Sequence, residues 1–174
     1  MKRIVLSRKG FDSSSGKKPN KASPIYEDGK IFSIPIQIDK PDPDPHTYEE
    51  VNYLGVNAFE AIRYAHQKRP EKQPYLPNDH CHFDPNLSVS PGLFGQHGNA
   101  QSDLDGAGID KGDLFLFFGW FKTFHNTPSS EDFIDAHHFF GWLQISEIIR
   151  GTDNIRIYCE KNKIKHPHAV NNYW

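Results

Sequence analysis

Two imidazoles and one carboxylate alternate within residues 79–85, where His80, His82 and Asp84 occupy every second position. Alternate side chains of an extended strand point to the same side, with backbones roughly 6.5 to 7 Å apart, so their tips can converge. Two His and one carboxylate are also the ligand set of open metal sites, which keep positions for water or substrate. This spacing predicts a site for a divalent metal or another polar ligand.

The same run also fits a polar loop that has no chemical role. Pro77 and Asn78 precede the run and Asn86 follows it, a composition typical of turns. Asp84 comes directly before Pro85 and would then only cap the backbone. Metal binding, another site role and a structural loop all stay open at this point.

A basic loop is predicted near the start of the chain, over residues 7–16. It contains Arg8, Lys9, Asp12 and Ser13 among glycines and further serines. Arginine forks, hydroxyls and backbone amides in such a loop bind phosphate. The loop lacks the Gly-Lys-Ser/Thr ending of a Walker sequence, and a flexible basic loop is the alternative.

Amide side chains surround glycines between residues 95 and 101. Gln96 and Gln101 carry paired donors and acceptors, which suit the edge of a nucleobase. Asn99 is the better candidate for a helix cap. We therefore predict Gln96 and Gln101 as nucleotide contacts.

A second pair of imidazoles, His166 and His168, lies near the end of the chain. An exposed terminal pair of this kind is more often incidental. If a metal is bound, however, either residue would complete the set begun by His80 and His82.

Aromatic residues next to glycines are candidates for stacking on a base. Phe118, Trp120, Phe140 and Trp142 all lie in strongly apolar runs. Core packing is the better explanation for most of them, because such strands must be covered. Trp120 and Trp142 are predicted to stack on a nucleobase, an interaction worth roughly 1 to 3 kcal/mol in single-strand binders.

The composition predicts one cytoplasmic domain over residues 1–174. Thirteen Phe, seven Tyr and three Trp supply the core, and the two cysteines, Cys81 and Cys159, form no CxxC pattern. No apolar run reaches the roughly 20 residues of a membrane span, and the start of the chain lacks a secretory signal. Residues 1–30 hold eight Lys or Arg against three Asp or Glu, and residues 150–168 hold five against two. Basic ends around an acidic centre suit a local anionic ligand better than a long DNA groove.

The predicted elements indicate an α+β fold. Short strands at residues 3–6 and 25–34, the latter turning at Gly29, precede a long helix over 48–67 that starts at a Thr47 capping box. A short helix follows over 99–104. Strands are predicted over 113–121, 139–149 and 155–159, with the glycines inside them marking bulges. The expected sheet is strongly bent, either mixed or antiparallel, or forms a partly open small barrel.

The ordered motifs together resemble nucleotide-modification-associated domain 3, a bacterial and bacteriophage family tied to modified DNA bases and nucleotide metabolism. The similarity runs over nearly the whole chain. Its motifs are residues 7–13, 81–85, 94–96, 100–102, 112–121, 140–144 and 166–168. Members of the family look longer and continue past a region like residues 171–173, so this chain is either a short phage version or lacks a C-terminal segment. A weaker similarity links the Gly-Asp turn and glycine-containing strand to PUA-like barrels that include readers of modified bases.

The resemblance implies nucleotide handling, with a nucleotide or modified nucleobase, free or in DNA, as the partner. As an enzyme the protein would be a hydrolase or transferase, with His82 as acid or base and Asp84 or Asp12 orienting it or binding a metal. A non-catalytic modified-base reader or a protein that sequesters a nucleotide signal is the rival hypothesis, and a purely structural subunit is the third. The cofactor stays open, a divalent metal being one candidate, as does the oligomeric state.

Overall fold

The computed structural model describes residues 2–11, 22–38, 46–53, 55–67, 75–124 and 134–169. Its elements in chain order are β1 (Ile4–Arg8), β2 (Ser23–Ile25), β3 (Ile36–Gln37), β4 (Asn52–Tyr53), β5 (Val56–Asn57), α1 (Ala58–Ala65), β6 (Cys81–His82), α2 (Gly98–Gly106), β7 (Leu114–Thr123), β8 (Asp135–Gln144) and α3 (Thr152–Asn162), followed by a 3-10 turn (Pro167–Ala169). No helix of these residues has both the length and the apolar character that a membrane span requires.

Strand β7 is the centre of the main sheet. It pairs in parallel with β1 and with β2 along one edge, and antiparallel with β8 along the other. The α+β class and the mixed sheet are therefore confirmed. No sheet of the described residues closes into a barrel, so the likeness to PUA-like barrels finds no support.

The two faces of the main sheet differ in burial. On β7, Phe115, Phe117 and Phe121 are buried on the core side, as the apolar run predicted. The opposite face leaves large apolar side chains in solvent, among them Ile4, Leu6, Phe139 and Trp142.

A bulge in β8 turns one aromatic residue toward the functional region. Phe117 pairs with Gly141 and Phe118 with Phe139, which leaves Phe140 as the extra residue. A Cβ at Gly141 would lie 2.2 Å from the Leu87 side chain, so glycine allows that side chain to pack closely against the strand. The prediction that a glycine marks a bulge here is confirmed.

The predicted helix over residues 48–67 is wrong in its first half. Residues 48–50 form a turn, and the hairpin β4–β5 intervenes, with Gly55 in the left-handed region at φ +84°. The helix begins at Ala58 because Asn57 and Glu60 form a reciprocal capping box there. At the predicted start, only the Thr47 amide donates to the Glu50 carboxylate, at 3.0 Å.

Of the other predicted elements, some are confirmed and one is wrong. The turn at Gly29 (φ +79°) and helix α2 are confirmed. The predicted strand over residues 155–159 is wrong, because these residues lie in α3. That helix begins after Gly151, is followed by Lys163 in the left-handed conformation, and buries Cys159.

Candidate functional site

Asp84 lies at the centre of the candidate site, two residues after β6. Its side chain is completely buried. Oδ1 accepts a hydrogen bond from the backbone N–H of Gly95 at 3.0 Å, which fixes the orientation of the carboxylate. A buried carboxylate needs such partners, because its transfer from water is otherwise very costly.

Three imidazoles surround this carboxylate and form with it what we call the His–Asp cluster (His82, Asp84, His166 and His168). The Nε2 atoms of His82 and His168 each lie 3.7 Å from Oδ2 of Asp84, whereas Nε2 of His166 lies 3.6 Å from Oδ1. Strand β6 supplies His82, and the segment after α3 supplies the other two. Residues more than eighty positions apart in the sequence thus share one carboxylate.

The His166 ring is oriented by a hydrogen bond to its other nitrogen. Its Nδ1 accepts a hydrogen bond from the backbone N–H of His168 at 3.2 Å, so in the neutral ring the proton sits on Nε2 and faces Asp84. Oδ1 therefore accepts from the Gly95 amide and faces the Nε2–H of His166 at 3.6 Å. Oδ2 is left to face His82 and His168.

The charge of Asp84 follows from two opposing effects. Burial by itself raises the pKa of this carboxyl, but the three neighbouring imidazoles outweigh it and hold the pKa well below its usual range. Asp84 is therefore ionised at neutral pH.

A cavity of about 610 Å³ opens beside the His–Asp cluster. Several separate parts of the chain meet in it, among them the end of β1 with Lys9, the β6 region with His82 and Asp84, and the segment that contains Gln96. The apolar part of the wall includes Phe32, Ile36, Phe83, Leu87 and Phe140. The cavity thus combines charged groups at one place with aromatic surface around them.

Two further groups set the electrostatics of this cavity. Burial lowers the pKa of Lys9, while the charge of Asp84 opposes the shift. The Lys9 ammonium also lies 4.5 Å from the ring centre of Phe94, a cation–π contact. Burial and the nearby His168, His82 and Lys9 lower the pKa of His97, so this imidazole is neutral at pH 7.

The sequence-predicted residues fall into three groups. Arg8, Lys9, His82, Asp84 and Gln96 all line the cavity. Asp12 and Ser13 lie outside the described residues.

The remaining predicted contacts lie elsewhere in the described part of the chain. Gln101 lines another cavity and donates to Asp105 at 3.0 Å. Trp120 donates its indole N–H to Asp135, and Trp142 is 65 % exposed on the outer sheet face. His80 is exposed and pairs with Thr47 through an isolated bridge.

Sequence reasoning gave too little weight to the second imidazole pair. His166 and His168 are buried, so the expectation that this pair is exposed is wrong. Their two-residue spacing repeats that of His80 and His82, which was the available signal. The role of the Gly95 amide could not be found in this way, because it depends on the folded backbone.

These features define an α+β protein with a mixed sheet and a buried His–Asp cluster at the wall of an open cavity. The family model "Nucleotide modification associated domain 3" matches residues 3–173, nearly the whole chain. The protein therefore belongs to this family, which associates it with nucleotide modification. No curated protein and no solved structure gives a significant match to the chain.

Proposed function

We propose that the protein binds a nucleotide or a modified nucleobase in this cavity and acts on it by hydrolysis or group transfer. The observation that carries the proposal is that Lys9 lines one cavity together with His82, Asp84 and His168 of the His–Asp cluster. Membership of a family associated with nucleotide modification supports this class of ligand. The cavity volume lies within the range of roughly 300 to 1,000 Å³ that is usual for small-molecule sites.

Each wall of the cavity suits one part of a nucleotide. The Lys9 ammonium offers a positive charge to phosphate, and Arg8 lies beside it at the end of β1. Phe83 and Phe140 present aromatic surface for stacking, and the Gln96 amide has a donor and an acceptor for a base edge. A free nucleotide and a base extruded from DNA share this chemistry.

His82 is the proposed acid or base. Its side chain is 18 % exposed, against 6 % for His166 and 8 % for His168, so it is the most accessible imidazole of the cluster. His82 takes the proton of an attacking water or hydroxyl as its oxygen bonds to the reacting phosphorus or carbon. The ionised Asp84 stabilises the imidazolium, which then returns the proton to the leaving group.

Turnover of a ligand panel tests this proposal. Purified protein is incubated with nucleotides, modified nucleobases and modified single-stranded DNA, and the products are followed by mass spectrometry. We expect conversion of one class of compound, reduced about 10²- to 10⁴-fold in His82→Gln. His80→Gln is the matched control, because His80 is exposed and outside the cluster, and it should keep the wild-type rate.

If the protein retains one equivalent of an unchanged ligand, the catalytic step is contradicted. The result would favour the rival hypothesis of a non-catalytic binder of modified bases or nucleotides. If the protein neither retains nor converts any member of the panel, the whole proposal is contradicted.

Removal of the Lys9 charge is expected to weaken nucleotide binding. Lys9→Met should lower affinity for a nucleoside monophosphate roughly 10- to 100-fold, the effect of losing one charge-assisted hydrogen bond. Because the pKa of Lys9 is lowered, the wild-type affinity should fall as the pH rises through that lowered value, and the variant should lack this step. Calorimetric titration at several pH values measures both effects. The exposed Lys161 of α3 provides the control Lys161→Met, and equal losses in the two variants would exclude the role of Lys9.

A further inference from the structure

We infer that His82, Asp84 and His168 bind one divalent transition-metal ion of the Zn²⁺ type. One ligand atom from each of these side chains lies within 4.8 Å of the other two. The set differs from the period-two run in the sequence, because His168 takes the place of His80. Imidazole and carboxylate together are a usual ligand set for zinc.

The distances inside the cluster favour a shared ion over direct hydrogen bonds. Both Nε2 atoms lie 3.7 Å from Oδ2 of Asp84, beyond the 2.7 to 3.2 Å of a hydrogen bond. Ligand atoms at about 2.0 to 2.2 Å from a tetrahedral zinc ion are separated by about 3.4 Å. Small movements of the side chains would close the set around an ion.

The state of Oδ2 points the same way. Among the described residues no hydrogen-bond donor reaches this oxygen, although it belongs to a completely buried carboxylate. A buried polar atom without a partner is destabilising by roughly 1 to 3 kcal/mol, and more when it is charged. A bound cation would remove this cost and neutralise the carboxylate.

The surroundings complete the features of a metal site. Oδ1, the other oxygen of Asp84, accepts a hydrogen bond from Gly95 and faces His166 at 3.6 Å, and outer partners of this kind orient a metal ligand. All three proposed ligands line the cavity, so the vacant coordination position would face a bound nucleotide. The inference rests on the proposed function and deepens it, because a bound ion would then activate the attacking water in place of His82.

Zinc titration without any nucleotide tests the site. Chelator-treated protein is titrated with Zn²⁺ by calorimetry, and circular dichroism checks the fold of each variant. We expect one ion per wild-type chain, unchanged affinity in His80→Gln and about a 10- to 100-fold loss in His166→Gln, whose side chain only orients a ligand. His168→Gln should lose more than His166→Gln.

Absence of stoichiometric Zn²⁺ binding by the wild-type protein would overturn the inference, and so would equal affinity in wild type and a folded His168→Gln. The wild-type titration alone decides the question if that variant does not fold. If chelator-treated protein turns over its ligand at the full rate, the ion has no catalytic role, but the proposed function still holds. If the protein binds zinc but neither retains nor converts a nucleotide, the metal site is supported and the proposed function is excluded.

Discussion

Gly95→Ala is expected to displace the His168 ring and to disable the site with a single methyl group. A Cβ at position 95 would lie 2.3 Å from Cδ2 and 2.8 Å from Nε2 of His168, closer than atoms can approach. The ring must move, or the backbone must shift and weaken the hydrogen bond from the Gly95 amide to Asp84. We expect a stability loss of about 1 to 3 kcal/mol from the added bulk, together with zinc and nucleotide affinities reduced at least about tenfold.

The control for this substitution is Gly106→Ala at the end of α2. A Cβ at that position meets no atom within 4 Å, so alanine should be neutral or slightly stabilising. Calorimetric titration and thermal unfolding compare the two variants. Wild-type affinities in a folded Gly95→Ala protein would show that His168 does not act in the site.

Asp84→Asn is expected to have the largest effect on activity. The amide keeps the shape of the carboxylate and an oxygen for the Gly95 N–H, but it removes the charge that His82 and His168 face. Turnover should fall about 10²- to 10⁴-fold, because neither an imidazolium nor a metal ion would then be stabilised. The free energy of unfolding should fall by about 1 to 3 kcal/mol, because the amide places two N–H donors in the buried position of Oδ2.

Asp103→Asn is the matched control for the Asp84 variant. Asp103 is exposed on α2, and its neutralisation should change neither turnover nor stability. Single-turnover kinetics and denaturant unfolding separate the two effects. An Asp84→Asn protein with wild-type turnover would exclude the carboxylate from the mechanism.

The sequence predicted the elements whose signal is local. The apolar run of β7 is visible in composition, and the turn at Gly29 in a left-handed glycine. Helix α2 follows the glycine-containing segment that predicted it, although no side chain caps its start at His97. The first half of the predicted helix over 48–67 failed because a helical pattern of apolar residues does not detect a competing hairpin. Only the capping pair Asn57 and Glu60 indicated the true start.

The candidate site could be predicted only in part. The period-two spacing indicated His82 and Asp84, but β6 has two residues, so the alternation does not extend to include His80 in the cluster. The position of His168 depends on the path of the chain after α3, and the exposure of Trp142 depends on which face of β8 is covered. Neither can be inferred from residue spacing, because both result from contacts between distant segments.

The arrangement of β1 explains why a basic residue reaches the cluster. The Lys9 amide donates to the Phe118 carbonyl at 2.9 Å, which extends the pairing of β1 along β7 by one residue. The side chain of Lys9 is thereby carried into the cavity, where Asp84 acts on its pKa. Pairing with the central strand β7 thus places Lys9, the predicted phosphate contact, next to the His–Asp cluster.

A crystal structure of the protein soaked with a nucleoside monophosphate tests the central claim most directly. We predict ligand density in the cavity, with the phosphate within hydrogen-bonding distance of Lys9 and the base against Phe83 or Phe140. The reacting part of the ligand should lie beside His82 and Asp84. Density elsewhere on the surface with none in this cavity, or no density at saturating ligand, would contradict the claim and favour a structural role for the His-rich segments.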